Sequence, residues 1–149
     1  MGIEEHIQAK FKSEHHKAIV NIRYTSNWIS NHHNSQLSLY DLTLAQFNIL
    51  RILRGANERL SIKVVKERML EKSPNTTRLI DKLIEKKFVK RSRCKIDRRV
   101  VYIEISKIGL EVLSKIDTIF DEISLEGKLS TSEAQQLNLL LDKLRGESN

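Results

Sequence analysis

The chemistry within reach of this chain is recognition of an anion rather than the making or breaking of a bond. Lys95, Asp97, Arg98 and Arg99 set three cations around one carboxylate, with Arg93 just ahead of them. Upstream, Ser73, Pro74, Asn75, Thr77, Arg78 and Lys82 gather short polar groups and further cations. Guanidinium and ammonium groups hold phosphate oxygens, and short polar side chains at a helix start reach base edges in a major groove. An exposed basic hairpin tip such as 95–99 can enter a minor groove. The plain alternatives are a solvated helix start and an ordinary charged hairpin.

Both groups need elements to present them, and residues 61–106 supply candidates. Ser61 can cap a short helix whose inward face is Ile62, Val65 and Met69. Ser73 followed by Pro74 reads as the cap and first position of a second helix over 73–86, where proline has no useful N–H to lose. Leu79, Ile80, Leu83 and Ile84 form its buried stripe and leave Asn75, Thr77, Arg78 and Lys82 on the opposite face. From Phe88 the period drops to two. Val89, Arg91 and Arg93 alternate with Lys90 and Ser92, and Val101, Ile103 and Ile105 alternate with Val100, Tyr102 and Glu104. Two helices and a two-stranded ribbon with a basic tip are predicted.

Here the residues resemble the MarR-type winged helix-turn-helix transcription regulators. The recognition-helix pattern is met by Thr77-Arg78-Leu79-Ile80-Asp81-Lys82-Leu83, followed by Phe88-Val89-Lys90-Arg91. The wing pattern, an Asp-x-Arg pair, five residues and Leu-Thr-x-x-Gly, is met by Asp97-Arg98-Arg99, VVYIE and Ile105-Ser106-Lys107-Ile108-Gly109 with two conservative changes. The resemblance covers nearly the whole chain. It implies a mainly α (α+β) fold, a single domain over 1–149 in which about 43–106 is the winged DNA-binding region and about 1–34 and 107–149 are dimerisation helices. It also implies a homodimer that binds a palindromic operator in double-stranded DNA and acts as a ligand-responsive repressor. Arg99 would enter the minor groove, held by Asp97, with Arg98 on phosphates. Thr76 stands where the family has an aliphatic residue, so its side chain is expected to be partly buried. A pocket for a small-molecule effector is expected near Tyr24 and Trp28. One position departs: Lys87 stands where the family has glycine after the recognition helix. A left-handed cap without glycine costs about 1 kcal/mol, so the link is expected to take another shape.

Charge placement agrees with a polyanionic partner. Of a net +7, residues 60–99 carry +9, fourteen Lys/Arg against five Asp/Glu, and the rest carry −2, twelve against fourteen. The bland reading is a solvated basic face. No run of 18 apolar residues occurs, and the N-terminal MGIEEHIQAKFK has no apolar core of a signal peptide, so a cytoplasmic location without a membrane partner is expected. A single cysteine, Cys94, excludes an internal disulfide framework. A Gly-rich phosphate loop, Gly-x-Ser-x-Gly, His-Glu-x-x-His and Cys-x-x-Cys are all absent, so the chain reads as non-enzymatic and without a cofactor.

The flanks read as helical support. Between Glu4 and His32 there is neither proline nor glycine, and Ile7, Phe11, Ile22 and Ile29 lie near one stripe widened by Tyr24 and Trp28. One long helix is expected, ending in a polar loop at His32-His33-Asn34-Ser35. Thr43 and Gln46 make a capping box with Leu42 and Phe47 as staple; Phe47, Leu50 and Leu53 face the core, and Gly55-Ala56-Asn57 is expected to stop the helix. Leu60 is expected in a short strand closing the wing sheet. Ser106 can cap a helix bearing Val112, Leu113, Ile116, Ile119, Phe120 and Ile123 that ends near Gly127, and Ser130 with Glu133 caps a last helix bearing Leu137, Leu140, Leu141 and Leu144.

Two sensing chemistries stay open beside the DNA reading. His6, His15, His16, His32 and His33 invite metal, but the adjacent pairs point to different faces and no Cys or acidic cluster completes a tetrahedral set, so no metal site is assigned. Arg93 and Lys95 should favour the Cys94 thiolate, which makes Cys94 a candidate redox switch. The alternatives to a DNA-binding regulator are therefore a winged-helix protein-interaction module or a metal- or thiol-responsive regulator.

Overall fold

A computed structural model of the chain describes residues 2–70, 74–121 and 128–147. The chain forms two compact units, residues 1–116 and 117–149. In the first, α1 (Ile3–Ile7), α2 (Glu14–Leu37), α3 (Leu44–Ala56), β1 (Leu60–Ser61), α4 (Ile62–Arg68), α5 (Thr76–Glu85), β2 (Val89–Arg93) and β3 (Val101–Ile105) follow in order. Helix α6 (Lys107–Asp121) runs from the first unit into the second, which also holds α7 (Thr131–Arg145). A mainly helical chain with one small antiparallel sheet is the expected fold class.

Helix α3 is the hub. It packs against α2, α4, α5 and β3. Its capping box is complete, with Thr43 Oγ1 accepting from the Gln46 N–H and the Gln46 side chain accepting from the Thr43 N–H. Leu42, Phe47, Ile49, Leu50 and Leu53 are buried. Asn57 closes the helix in a left-handed conformation, φ 52°. Ile80 and Leu83 of α5, Val65 of α4 and Ile103 of β3 join them in the core, each fully buried and each contributing about 1.5–3 kcal/mol of apolar transfer.

The sheet has order β1-β3-β2 and is antiparallel throughout. Leu60 faces Ile103, and Val89, Arg91 and Arg93 face Ile105, Ile103 and Val101. Opposed residues share a face, so Leu60, Val89, Arg91 and Ile103 lie on one side and Ser61, Ser92 and Tyr102 on the other. The strand expected at Leu60 is present.

The N-terminal region departs from the expected single helix. Gln8 takes a left-handed conformation, φ 49°, that ends α1, and Ser13 then caps α2 by accepting from the His16 N–H. Absence of proline and glycine does not guarantee continuity: a serine cap inside the stretch restarts the helix. The polar loop expected at 32–35 is also absent. Those residues are helical, with the Ser35 and Ser38 hydroxyls donating back to the His32 and Ser35 carbonyls, and the helix runs on to the buried Leu37. Its end is a 3-10 turn, Ser38–Tyr40, closed by left-handed Asp41.

In the second unit, Ser130 and Glu133 form a capping box, as expected, and Gly146, φ 80°, ends α7. The expected helix end near Gly127, with Ile123, lies outside the described residues, as does the Ile119 side chain. Among the described residues no helix is long and apolar enough to cross a membrane.

Candidate nucleic-acid interface

Helix α5 begins later than its sequence suggests. Asn75, not Ser73, is its N-cap, and Pro74 sits in a turn ahead of the helix rather than at its first position. Ser73 itself lies outside the described residues. The reason is Thr76: its side chain is only 1% exposed, and its hydroxyl donates to the Met69 sulfur at 3.6 Å, which pins the first turn to the end of the preceding helix. Thr76 is therefore buried, as its place in the pattern implied. Asn75, Thr77, Arg78 and Lys82 are exposed, so the polar face survives the later start.

The link after α5 corrects the expectation for Lys87. It adopts φ 62°, the left-handed shape that glycine would take there. The Lys87 N–H donates to the Ile84 carbonyl and the Phe88 N–H to the Leu83 carbonyl, the paired bonds of a Schellman end. Ser106 secures the far side: its hydroxyl donates to the Lys87 carbonyl at 2.6 Å and its N–H to the Phe88 carbonyl at 2.9 Å. These bonds hold the backbone against the steric cost of a side chain in this region.

Ser106 also caps α6, accepting from the Gly109 N–H at 3.0 Å. Gly109 sits where a Cβ would strike the Phe88 carbonyl oxygen and come within 2.8 Å of Ile105 Cγ1. The spacing of serine and glycine in Ile105-Ser106-Lys107-Ile108-Gly109 thus lets α6 lie directly on the backbone that joins α5 to β2.

An ion pair fixes the wing to the helix. Arg91 Nη2 lies 2.8 Å from Asp81 Oδ1. Arg91 is on the sheet face shared with Val89 and Ile103, which explains both its reach and why a surface arginine is held. On the opposite face the Arg59 guanidinium lies 4.5 Å from the Tyr102 ring centroid. The sequence reading left Arg59 out; its position just before β1, opposite an aromatic residue once β1 pairs with β3, is the signal that finds it.

At the wing tip, Asp97 Oδ1 accepts from the Arg99 N–H at 3.0 Å and from Arg99 Nε at 3.2 Å. The Arg99 side chain is 93% exposed, so the carboxylate aims it without hiding it. The Val100 N–H donates to the Asp97 carbonyl and the Cys94 N–H to the Val100 carbonyl, closing the loop. Arg93, Lys95 and Arg98 are exposed around it. The structure therefore brings Arg93, Lys95, Asp97, Arg98 and Arg99 into one tip, and places Pro74, Asn75, Thr77, Arg78 and Lys82 on and just before α5.

Residues 32–116 match the sequence profile of the SarA/Rot transcriptional regulators. The chain belongs to the SarA/Rot family. Among curated proteins it is similar to the transcriptional regulator MgrA of Staphylococcus aureus, 28% identical over 111 residues that span 74% of this chain and 75% of MgrA. Among solved structures it resembles a MarR-like transcription regulator from Bacillus cereus, with a TM-score of 0.81 and 21% identity over 91% of this chain and 99% of that one. It also resembles a MarR variant from Escherichia coli complexed with operator DNA, with a TM-score of 0.78 and 23% identity over 91% and 99%. Its fold is that of the MarR-type winged-helix regulators.

In this SarA/Rot-family chain the sensing candidates are dispersed. Tyr24 and Trp28 stand on α2, where Tyr24 stacks on His6 at 5.4 Å and Trp28 on His32 at 6.2 Å between ring centroids. His16 meets the edge of Phe11, and His33 is held below the usual imidazole range by burial, then by His32 and Arg51. Among the described residues no three His, Cys, Asp or Glu side chains converge as a metal ion would need. The Cys94 thiol is lowered from its ordinary value, but for a reason other than the expected one. The backbone N–H groups of Asp97 and then Ile96 stabilise the thiolate, and Arg59 helps, rather than Arg93 and Lys95.

Proposed function

We propose that this chain is a sequence-specific, double-stranded-DNA-binding transcriptional regulator that works as a homodimer in the cytoplasm and has no catalytic activity. The face of Asn75, Thr77 and Arg78, with Lys82 a turn later and Ser73 and Pro74 ahead, reads a major groove. The wing of Arg93, Lys95, Asp97, Arg98 and Arg99 reaches the adjacent minor groove. Helices α1 and α2 at one end of the chain and α6 and α7 at the other supply the dimer interface, so two copies meet a palindromic operator about one helical turn apart. An effector bound near Tyr24 and Trp28 that favours a wrongly spaced dimer would relieve repression.

The observation that carries this reading is the Asp97–Arg99 pair, a guanidinium locked in direction yet 93% exposed at the tip of a wing tied to α5. Likeness to a fold solved with operator DNA supports it. The test is a mobility shift on duplexes that the chain selects from a random pool. Arg99→Ala should weaken binding at every sequence by about 1–3 kcal/mol. Asp97→Ala adds net positive charge and would tighten binding if charge alone mattered; as the group that orients Arg99, its loss should weaken binding instead. Unchanged shifts for both variants would overturn the proposal.

A further inference from the structure

Ile96 stands at the apex of the wing, flanked by Lys95 and Asp97, and is 98% exposed. The other large apolar residues of the wing, Val89, Val100, Val101, Tyr102, Ile103 and Ile105, are buried or half-buried. The tip that carries Ile96 is closed by the Cys94–Val100 and Val100–Asp97 backbone bonds, and its neighbour Asp97 is committed to Arg99. A branched apolar side chain is thus projected from a fixed backbone beside an aimed guanidinium.

We propose that Ile96 is a specificity-determining wedge that packs against a base step in the minor groove while Arg99 reads the groove beside it. This deepens the DNA-binding reading above and rests on it. Apolar wedges in a minor groove partly unstack one step, and the cost is least at flexible pyrimidine–purine steps such as TA and CA. Lys95 on one side and Arg98 beyond Asp97 on the other give the tip cations for phosphates, and the apolar contact favours steps that open. Ile96 therefore reads deformability at a position where Arg99 reads width and charge.

The experiment selects duplexes from a randomised library with the full-length wild-type chain, then with Ile96→Ser, Ile96→Leu and Arg99→Ala. Because Ile96 is exposed, the Ser variant should fold as the wild type does, checked by thermal melting. The wedge predicts that wild type and Ile96→Leu enrich TA or CA steps at the wing position. Ile96→Ser should lose that enrichment, keep the major-groove motif, and bind the wild-type duplex about three- to tenfold more weakly. A 2-aminopurine placed at the step should brighten with the wild type and not with Ile96→Ser. If Ile96→Ser selects the same steps with the same affinity while Arg99→Ala binds weakly, the wedge is overturned and the DNA reading stands. If the wild type enriches no sequence in low salt, both fall.

Discussion

Lys87 holds a left-handed backbone that L side chains reach only at a cost, and two carbonyl bonds from Ser106 keep it there. Lys87→Gly should therefore stabilise the chain by about 0.5–1 kcal/mol, net of the freer unfolded chain, read as a higher urea midpoint at an unchanged slope. Lys87→Ala should bring no gain, since alanine keeps the Cβ that creates the strain. At this scale the sequence was legible where one residue's chemistry is local. The Thr43–Gln46 and Ser130–Glu133 boxes and the Ser61 and Ser106 caps all form as spacing implied. It was misleading where a distant group decides the outcome. Nothing near Lys87 announces that Ser106 will take its carbonyl, and nothing in the row of basic residues around Cys94 reveals that backbone N–H groups lower the thiol more than those neighbours do.

Between elements, the contact of α6 with the α5–β2 link depends on the absence of one carbon. A methyl group at position 109 would strike the Phe88 carbonyl, which is already occupied by the Ser106 N–H and cannot swing away freely. Gly109→Ala should thus destabilise the first unit by about 1–3 kcal/mol despite alanine's better helix propensity. Denaturant unfolding followed by circular dichroism would check the sign. Periodicity made the sheet, α3 and α4 legible, because burial on one face sets the pattern. Helix starts were less so. Ser73-Pro74 is a strong start signal, yet tertiary burial of Thr76 against Met69 moves the cap to Asn75. Likewise the break between α1 and α2 turns on Ser13, whose capping competes with helix continuation and leaves little trace in an apolar stripe.

For the whole molecule, apolar surface is the informative quantity. On α7, Leu139 is 69% and Leu140 64% exposed, and on α2 Tyr24 and Trp28 are partly open. A second copy of the chain is the cover proposed above for exposed apolar residues of this kind. The chain should sediment as a dimer at micromolar concentration. Replacing Leu139 and Leu140 together by Lys should shift it toward monomer and abolish the operator shift while leaving helix content intact, as ultracentrifugation and circular dichroism would report. A wild-type monomer would remove the dimer from the mechanism. Charge placement along the chain made the basic region legible, whereas Leu140, which sequence spacing sets on the apolar stripe of the last helix, is 64% exposed. The Asp81–Arg91 bridge has its own consequence at this scale. Helix α5 and the wing are joined by this half-exposed pair and by the direct packing of α5 on β2, so a displacement of strand β2 is expected to carry α5 with it.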